Sequence, residues 1–523
     1  TDDGVHWSVI SPDLTRNIKS HQQPSGGPIA LDVSSAEFSD NTLDIEGSPL
    51  GSGEIWVGTD DGLVQLTRDG GLHWTNVTPN GAPRFARVET VAPSPLRHGL
   101  AYAIYDDHRS GNYQPYIYAT ADFGATWRKI VSGLPGDQYV RTVRPDIHNA
   151  SVLYAGTEHG IWISYDGGGR WQSLQLNLPA VSVRDIRLQP TFDDIVIATH
   201  GRGLWILDDA RAVHDLREAQ AAGVEVFPLR TAYEYLEHSD IEDLYTWYSA
   251  ANPPLGAIID FYQAAPSKRL PMVQVLNDQG RVVRSMSGTH DVKGKQVPLI
   301  SNDRSLNRAI WDFREDGPVQ WMGAAREHYR GPKAGAKLPP GTYTVRVTLN
   351  GRALTRTVDV RPDPRATFTQ AEYQALYEFE HQHYQEYSNV DVALNSLDAL
   401  KKGLKTARAA LAKAPAARGL GLVNQLTAVS NARDQLFSRL TANFQNDEDS
   451  VARPGALRED LEDFQGLEAP PLPPFLEYAA KVDERYRSVM RAYNEFVASV
   501  TGLNAALKRA GIKEVRNPQL ITL

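Results

Sequence analysis

A chain of 523 residues is long enough for roughly three domains. With 41% hydrophobic and 22% charged residues it has the composition of an ordinary globular protein, and no apolar run in it is long enough to span a bilayer. A formal net charge of -9 argues against nucleic acid as a partner, and the absence of cysteine excludes disulfides, thiolate zinc sites and cysteine nucleophiles.

The first 215 residues are organised by a repeat, Ser/Thr-x-Asp-x-Gly-x-x-Trp. It occurs as Thr67 to Trp74 around Asp69, as Thr120 to Trp127 around Asp122, and as Ser164 to Trp171 around Asp166. A fourth copy, Asp2 to Trp7, fits if its leading Ser/Thr precedes Thr1. The pattern describes a turn: a carboxylate that accepts backbone amides, a glycine for the left-handed backbone, and a tryptophan opening the next strand. β-rich runs precede each copy, such as Gly53 to Thr59, Pro115 to Ala119 and Val152 to Thr157. A last unit runs from Val183 through Ile195–Ala198 to Leu207 and has no such turn.

This pattern resembles the Asp-box (BNR) repeat of sialidases, two-propeller xyloglucan hydrolases and sortilin receptors. The segment Ala198-Thr199-His200-Gly201-Arg202-Gly203-Leu204-Trp205-Ile206-Leu207-Asp208-Asp209 is similar to the propeller end of large secreted bacterial proteins with sortilin-like propellers, often labelled glycosyl hydrolases. The resemblance implies β-propeller blades over residues 1–215 and a secreted or periplasmic location. Thr1-Asp2-Asp3-Gly4 lacks the basic start and apolar stretch of a signal peptide. About three whole blades are visible where propellers use four to eight, so the remaining blades are expected upstream, on a longer polypeptide.

Residues 216–362 read as short strands with turn signals, including Gly256 to Tyr262, Met272 to Leu276, Asn307 to Arg314, and a hairpin of Thr342–Val347 and Leu354–Val360 around Asn350-Gly351. That pattern predicts an Ig- or FnIII-like β-sandwich. In residues 363–523 the period changes to 3.6. A capping box at Thr369 to Glu372 opens a seam through Leu376, His383, Tyr387, Leu394, Leu397 and Leu404. A second helix carries Leu422 to Phe444 and a third Leu476 to Leu503, predicting a helical hairpin or three-helix bundle.

The box residues Asp2, Trp7, Asp69, Trp74, Asp122, Trp127, Asp166 and Trp171 are assigned a structural role, since turn chemistry accounts for them. Candidate ligand-binding residues come from the innermost strands, where alignment puts Glu89, Arg141 and Arg184 at one repeated position, and from the turn carrying His200 and Arg202. Guanidinium groups suit bidentate recognition of a carboxylate, but they also pair with carboxylates such as Glu89 or Asp185. The sialidase pattern also needs a third arginine, a Tyr-Glu pair and an amino-terminal Arg-Ile-Pro element; that last element is not found, so no catalytic residue is assigned. Asp106, Asp107, Asp193 and Asp194 are acidic loop residues that could supply a glycosidase pair only if two faced each other. Glu378, Glu380, His381, His383 and Glu386 cluster on the first long helix. Histidines two apart point to different faces, so no metal ligand and no cofactor are expected.

The sequence therefore predicts an extracytoplasmic propeller that binds peptide, protein or glycan. The alternatives are a glycoside hydrolase whose carboxylates lie on or are shared with the upstream blades, and a structural component that oligomerises through its helices. Expected partners are the rest of the same propeller, a protein, peptide or glycan ligand and a second copy through the helices, with no transmembrane segment.

Overall fold

The computed structural model describes residues 4–24, 26, 28, 29, 31, 38–235, 252–290, 296–298, 300–323, 334–413, 420–441 and 457–522. Asp2 and Phe444 lie outside the described residues. The chain forms two compact units, Thr1–Phe227 with Phe261–Ala264, and Pro228–Asp260 with Ala265–Leu523.

The first unit is built of antiparallel meanders in which each strand pairs with the next in sequence. The first comprises β1 (Thr42–Gly47), β2 (Ile55–Thr59), β3 (Val64–Thr67) and β4 (Thr75–Asn76). The second comprises β5 (Arg87–Pro93), β6 (Ala101–Asp106), β7 (Tyr116–Thr120) and β8 (Arg128–Lys129). The third comprises β9 (Val140–Pro145), β10 (Leu153–Thr157), β11 (Gly160–Ser164) and β12 (Trp171–Ser173). The fourth has three strands, β13 (Ser182–Gln189), β14 (Asp194–His200) and β15 (Leu204–Leu207).

Strands β6 and β10 are buried along their whole length, so the in-out alternation of a one-sided sheet is lost. A strand covered on both faces reads as a continuous apolar run. The covers are the neighbouring meanders. Trp56 and Val64 of the first pack with Val88 and Tyr105 of the second. Tyr102, Ile104 and Ile117 of the second pack with Val140, Val143 and Leu153 of the third. Tyr154 and Ile161 of the third pack with Val183, Ile186 and Ile195 of the fourth. Each sheet thus lays one face on the next, while Leu204 and Ile206 of β15 in the last sheet are exposed. Helices α1 (Arg211–His214) and α2 (Leu216–Ala222) follow, then β16 (Val224–Val226), which pairs with Phe261–Gln263.

The second unit joins sheets and helices. Its strands are β17 (Ala232–Glu234), β18 (Ala257–Gln263, whose last three residues belong to the first unit), β19 (Met272–Leu276) and β20 (Val282–Met286). There follow β21 (Gly288–His290), β22 (Gln296–Pro298), β23 (Ser305–Trp311), β24 (Arg314–Asp316), β25 (Ala334–Lys337), β26 (Gly341–Leu349) and β27 (Arg352–Pro362). A five-stranded sheet runs in the order β17-β27-β26-β19-β20, with β17 parallel to β27. The β26–β27 hairpin turns at Asn350 and Gly351, both at positive φ, as a tight two-residue turn requires.

Four helices complete the unit: α3 (Gln370–Leu411), α4 (Leu420–Leu440), α5 (Leu457–Glu462) and α6 (Pro473–Arg509). The predicted capping box starts α3: the Glu372 amide donates to the Thr369 hydroxyl, and the Thr369 amide to the Glu372 carboxylate. Its apolar seam is covered. Leu394, Leu397 and Leu400 are fully buried against Leu426 and Leu440 of α4 and Val489, Tyr493 and Val500 of α6. Trp321, from the segment between β24 and β25, is part of this helical core. No helix of the described residues is long and apolar enough to cross a membrane.

Candidate functional site

The repeated turns close in one way three times. The hydroxyls of Thr67, Thr120 and Ser164 donate to Oδ1 of Asp69, Asp122 and Asp166 at 2.9, 2.8 and 2.8 Å. The same hydroxyls accept the amides of Gly71, Gly124 and Gly168 at 2.9, 2.8 and 2.9 Å. Each Oδ1 also accepts the amide four residues on, from His73, Thr126 and Arg170, at 2.9, 2.9 and 2.8 Å. These bonds favour the ionised carboxylate. The His73 amide and ring hold Asp69 down at about 2, and the Thr126 hydroxyl and amide do the same for Asp122. At Asp166 burial opposes ionisation, but the Arg170 amide and Ser164 hydroxyl outweigh it and keep the carboxyl low.

Each turn is pinned to its predecessor. Indole Nε1 of Trp74, Trp127 and Trp171 donates to the carbonyls of Ile10, Val77 and Ile130 at 2.9, 2.7 and 2.8 Å. Val77 and Ile130 lie three residues after Trp74 and Trp127, and Ile10 lies three residues after Trp7. A Cβ on Gly71, Gly124 or Gly168 would sit within 2.4 to 2.6 Å of these same three residues. Residues 7–10 therefore occupy the place of an outgoing strand of an earlier repeat. Trp7 itself is exposed, with Nε1 bonded to the Gly4 carbonyl at 3.0 Å.

On the first strand of each meander lies a second repeated feature, a β-bulge at residue two or three. The pairing register skips Leu43 in β1, Glu89 in β5, Arg141 in β9 and Arg184 in β13. A bulge leaves one residue unpaired and re-aims its side chain. Arg141 is buried, with Asp106 at 2.8 Å, Glu158 at 3.2 Å and Glu89 at 3.5 Å, over the Tyr139 ring at 4.5 Å. Asp106 also takes the His108 ring at 2.7 Å, and Glu158 accepts from Ser182 at 2.9 Å. Burial pushes the Glu89 carboxyl up, and the Asp106 charge adds to that.

A second network spans the same strands. Arg144 binds Asp185 at 2.9 Å and Glu46 at 3.2 Å, while Arg187 binds Asp185 at 2.8 Å and Glu46 at 3.5 Å. Arg184 differs: it is exposed, and among the described residues it has no ion pair. His200 ends β14 opposite Ser182, and Arg202 lies in the following turn; both are exposed. The register thus brings Arg184, His200 and Arg202 to one end of the fourth meander, whereas Glu89 and Arg141 belong to a separate cluster in which three carboxylates surround the Arg141 guanidinium. Glu46, Tyr139, Arg144, Glu158 and Arg187 were not among the residues singled out from sequence. Their signal is weak, since ion pairing joins positions up to 141 residues apart.

The four acidic candidates are each engaged, and two of them stand on strands rather than in loops: Asp106 ends β6 and Asp194 opens β14. Asp106 is occupied as described, Asp107 accepts from Asn112, and Asp194 accepts the Asp209 amide. Asp193 binds His214 Nε2 at 3.0 Å, His148 at 3.3 Å and Arg211 at 3.5 Å. Burial disfavours a charged His214, yet Asp193 and Asp215 outweigh it and hold its pKa up at about 10.

On α3 the sequence cluster splits. Glu378 accepts from Gln374, and Glu380 accepts the amides of Lys337 and Leu467. His381 turns to Glu315 at 2.8 Å. His383 turns inward, its Nδ1 donating to the Phe379 carbonyl at 2.7 Å and its Nε2 facing Asp483 of α6 at 3.2 Å. Glu386 is buried beside them, and burial, then the Asp483 charge, push its carboxyl up to about 7.

No protein-family profile matches the chain, and no curated protein matches it. Among solved structures it is similar to YCF48 bound to D1 peptide, at 14% identity, covering 47% of this chain and 66% of that one, TM-score 0.25. It is also similar to the GH74 xyloglucanase of Xanthomonas campestris, at 16% identity over 60% of this chain and 42% of that one, TM-score 0.25. A third is PorZ, a surface component of the type-IX secretion system of Porphyromonas gingivalis, at 13% identity over 62% and 52%, TM-score 0.22. The chain spans less than two thirds of the length of each. All three are β-propeller proteins. At these TM-scores the likeness carries no argument, and the architecture rests on the meanders themselves.

Proposed function

We propose that the four meanders are blades of an Asp-box propeller, that β17–β27 belong to an Ig-like sandwich, and that the protein is an extracytoplasmic recognition protein. Its ligand is a peptide, protein or glycan bearing an anionic group, engaged at Arg184 with His200 and Arg202 beside it. The observation that supports this is the contrast among inner-strand guanidiniums. Arg141, Arg144 and Arg187 are each neutralised by carboxylates, whereas Arg184 stands exposed on a bulge. An unspent guanidinium is suited to a carboxylate or similar group on a partner.

Hydrolysis of glycosides needs two carboxyl groups about 5–9.5 Å apart across the bond. Glu89 and Asp106 instead sit against one another around Arg141, which suits a scaffold rather than a cleft. The test is an array of acidic peptides and carboxylated oligosaccharides probed with the wild-type protein and with Arg184→Ala. Binding that weakens about tenfold or more in the variant, as for loss of a charge-assisted hydrogen bond, supports the reading. Unchanged binding, or release of sugar from a polysaccharide by the same preparation, overturns it.

A further inference from the structure

His383, Glu386 and Asp483 meet in the helical region. His383 and Glu386 are three apart on α3 and so share a face; Asp483 comes from α6. One ligating atom from each lies within 4.8 Å of the others. Only a carbonyl oxygen faces His383 Nδ1, so that nitrogen carries the proton. His383 Nε2 faces Asp483 Oδ1, 3.2 Å away. Two acceptors at that distance are held together by a shared proton or by a metal ion.

Glu386 supplies the independent observation. It is 92% buried (8% exposed), and its Oε2 has no hydrogen-bond partner among the described residues. A buried carboxylate oxygen without a partner is costly. The other carboxylate oxygens are already oriented, since Gln382 Nε2 donates to Glu386 Oε1 and to Asp483 Oδ2, both at 3.2 Å. The rings of Phe379 and Phe464 flank His383 at 4.3 and 4.5 Å between centroids, which keeps water from that side. Proteins build metal sites from ligands whose spare atoms are held by hydrogen bonds and whose surroundings are apolar.

We propose that His383 Nε2, Glu386 Oε2 and Asp483 Oδ1 bind a divalent transition-metal ion of the zinc or manganese class. One nitrogen and two carboxylate oxygens suit either ion, with water in the remaining positions. Zinc bonds of about 2.0–2.1 Å place donors roughly 3.4 Å apart, so a modest side-chain rotation closes the set. The comparable trio His148, Asp193 and His214 is a different case. Both nitrogens of His214 face carboxylates and Arg211 already sits on Asp193, so its cation is supplied by the protein. The Arg487 charge near Asp483 is on an exposed side chain, where solvent screens it.

The whole chain, stripped with chelator and dialysed, would be titrated calorimetrically with Zn2+ and, in parallel, with Mn2+ followed by electron paramagnetic resonance. The expected result is one saturable site with a rise in melting temperature. Glu386→Gln, close to isosteric, weakens it at least about tenfold, and His381→Ala leaves it unchanged. Absence of saturable binding of both ions to the wild-type chain refutes the proposal, a result that needs no variant to fold. Equal affinity of wild type and folded Glu386→Gln refutes it too.

Discussion

The acidic turns of the first unit and the buried acids of α3 use the same side chains in opposite ways. Asp69, Asp122 and Asp166 satisfy their carboxylates within four residues, at the surface, with a backbone amide, one or two hydroxyls and, at Asp69, the His73 ring. Glu380 and Asp391 are buried on a helix and find their partners far away. Asp391 accepts from Arg458 at 2.7 and 3.2 Å and from the Trp321 amide at 2.8 Å, tying α3 to α5 and to the segment before β25. Local closure makes a turn that can be repeated; distant closure makes a single arrangement of helices. The first kind of bond sets a local conformation, and the second sets tertiary register.

The comparison breaks first at Asp391. Asp391→Ala leaves the Arg458 guanidinium buried and unpaired, which costs about 3–5 kcal/mol. Urea unfolding followed by far-ultraviolet circular dichroism should show this as the largest loss among the substitutions considered. The double variant Asp391→Leu/Arg458→Met, which removes both charges, should recover most of it. If Asp391→Ala unfolds at the wild-type denaturant concentration, the pair is not what fixes the helices.

A smaller effect is expected within a turn. Gly168 has φ +84°, and a Cβ there would meet Ile130 Cδ1 at 2.4 Å. Gly168→Ala therefore combines a left-handed backbone with overpacking, about 1–3 kcal/mol. Gly167→Ala, also at positive φ but with open space around its Cβ, carries only the backbone part. Equal losses in the two variants would show that stacking on the preceding turn contributes nothing.

How far the molecule could be read from its sequence follows the same division. The turns were legible because Thr67, Asp69, Gly71 and Trp74 recur at fixed offsets and bond to one another. The capping box at Thr369 and Glu372 was legible for that reason as well. Glu89, Arg141 and Arg184 could be aligned because the bulge repeats with the strand. That Arg141 is neutralised while Arg184 is exposed could not be read, because Asp106 and Glu158 come from other strands. Trp321 sits in the helical core although its neighbours in sequence are strands. The pairing of His383 and Glu386 with Asp483 joins positions about 100 residues apart; only the spacing of three between the first two was visible.

Removing a turn carboxylate should be milder than either change above. Asp166→Ala frees the amide of exposed Arg170, which can reach water, and the hydroxyl of buried Ser164, which keeps the Gly168 amide as a partner, so about 1 kcal/mol is at stake. A melting curve shifted by as much as that of Asp391→Ala would erase the distinction between local and distant closure.

The smallest effect is a titration. Asp122 in the folded chain has its pKa lowered from 3.8 to about 2 by the Thr126 hydroxyl and amide. A depressed carboxyl stabilises the fold above its unfolded pKa, and that contribution disappears as pH falls through about 2. At Asp391 burial acts in the opposite direction and pushes the carboxyl up despite Arg458. Acidification should therefore release the Thr126 amide of the surface turn only near pH 2, visible as a chemical-shift change in Thr126 that is absent in Asp122→Asn. A Thr126 amide that titrates near pH 3.8 would mean that the turn bonds do not favour the ionised carboxylate. The surface turn would then owe its shape to glycine and tryptophan alone.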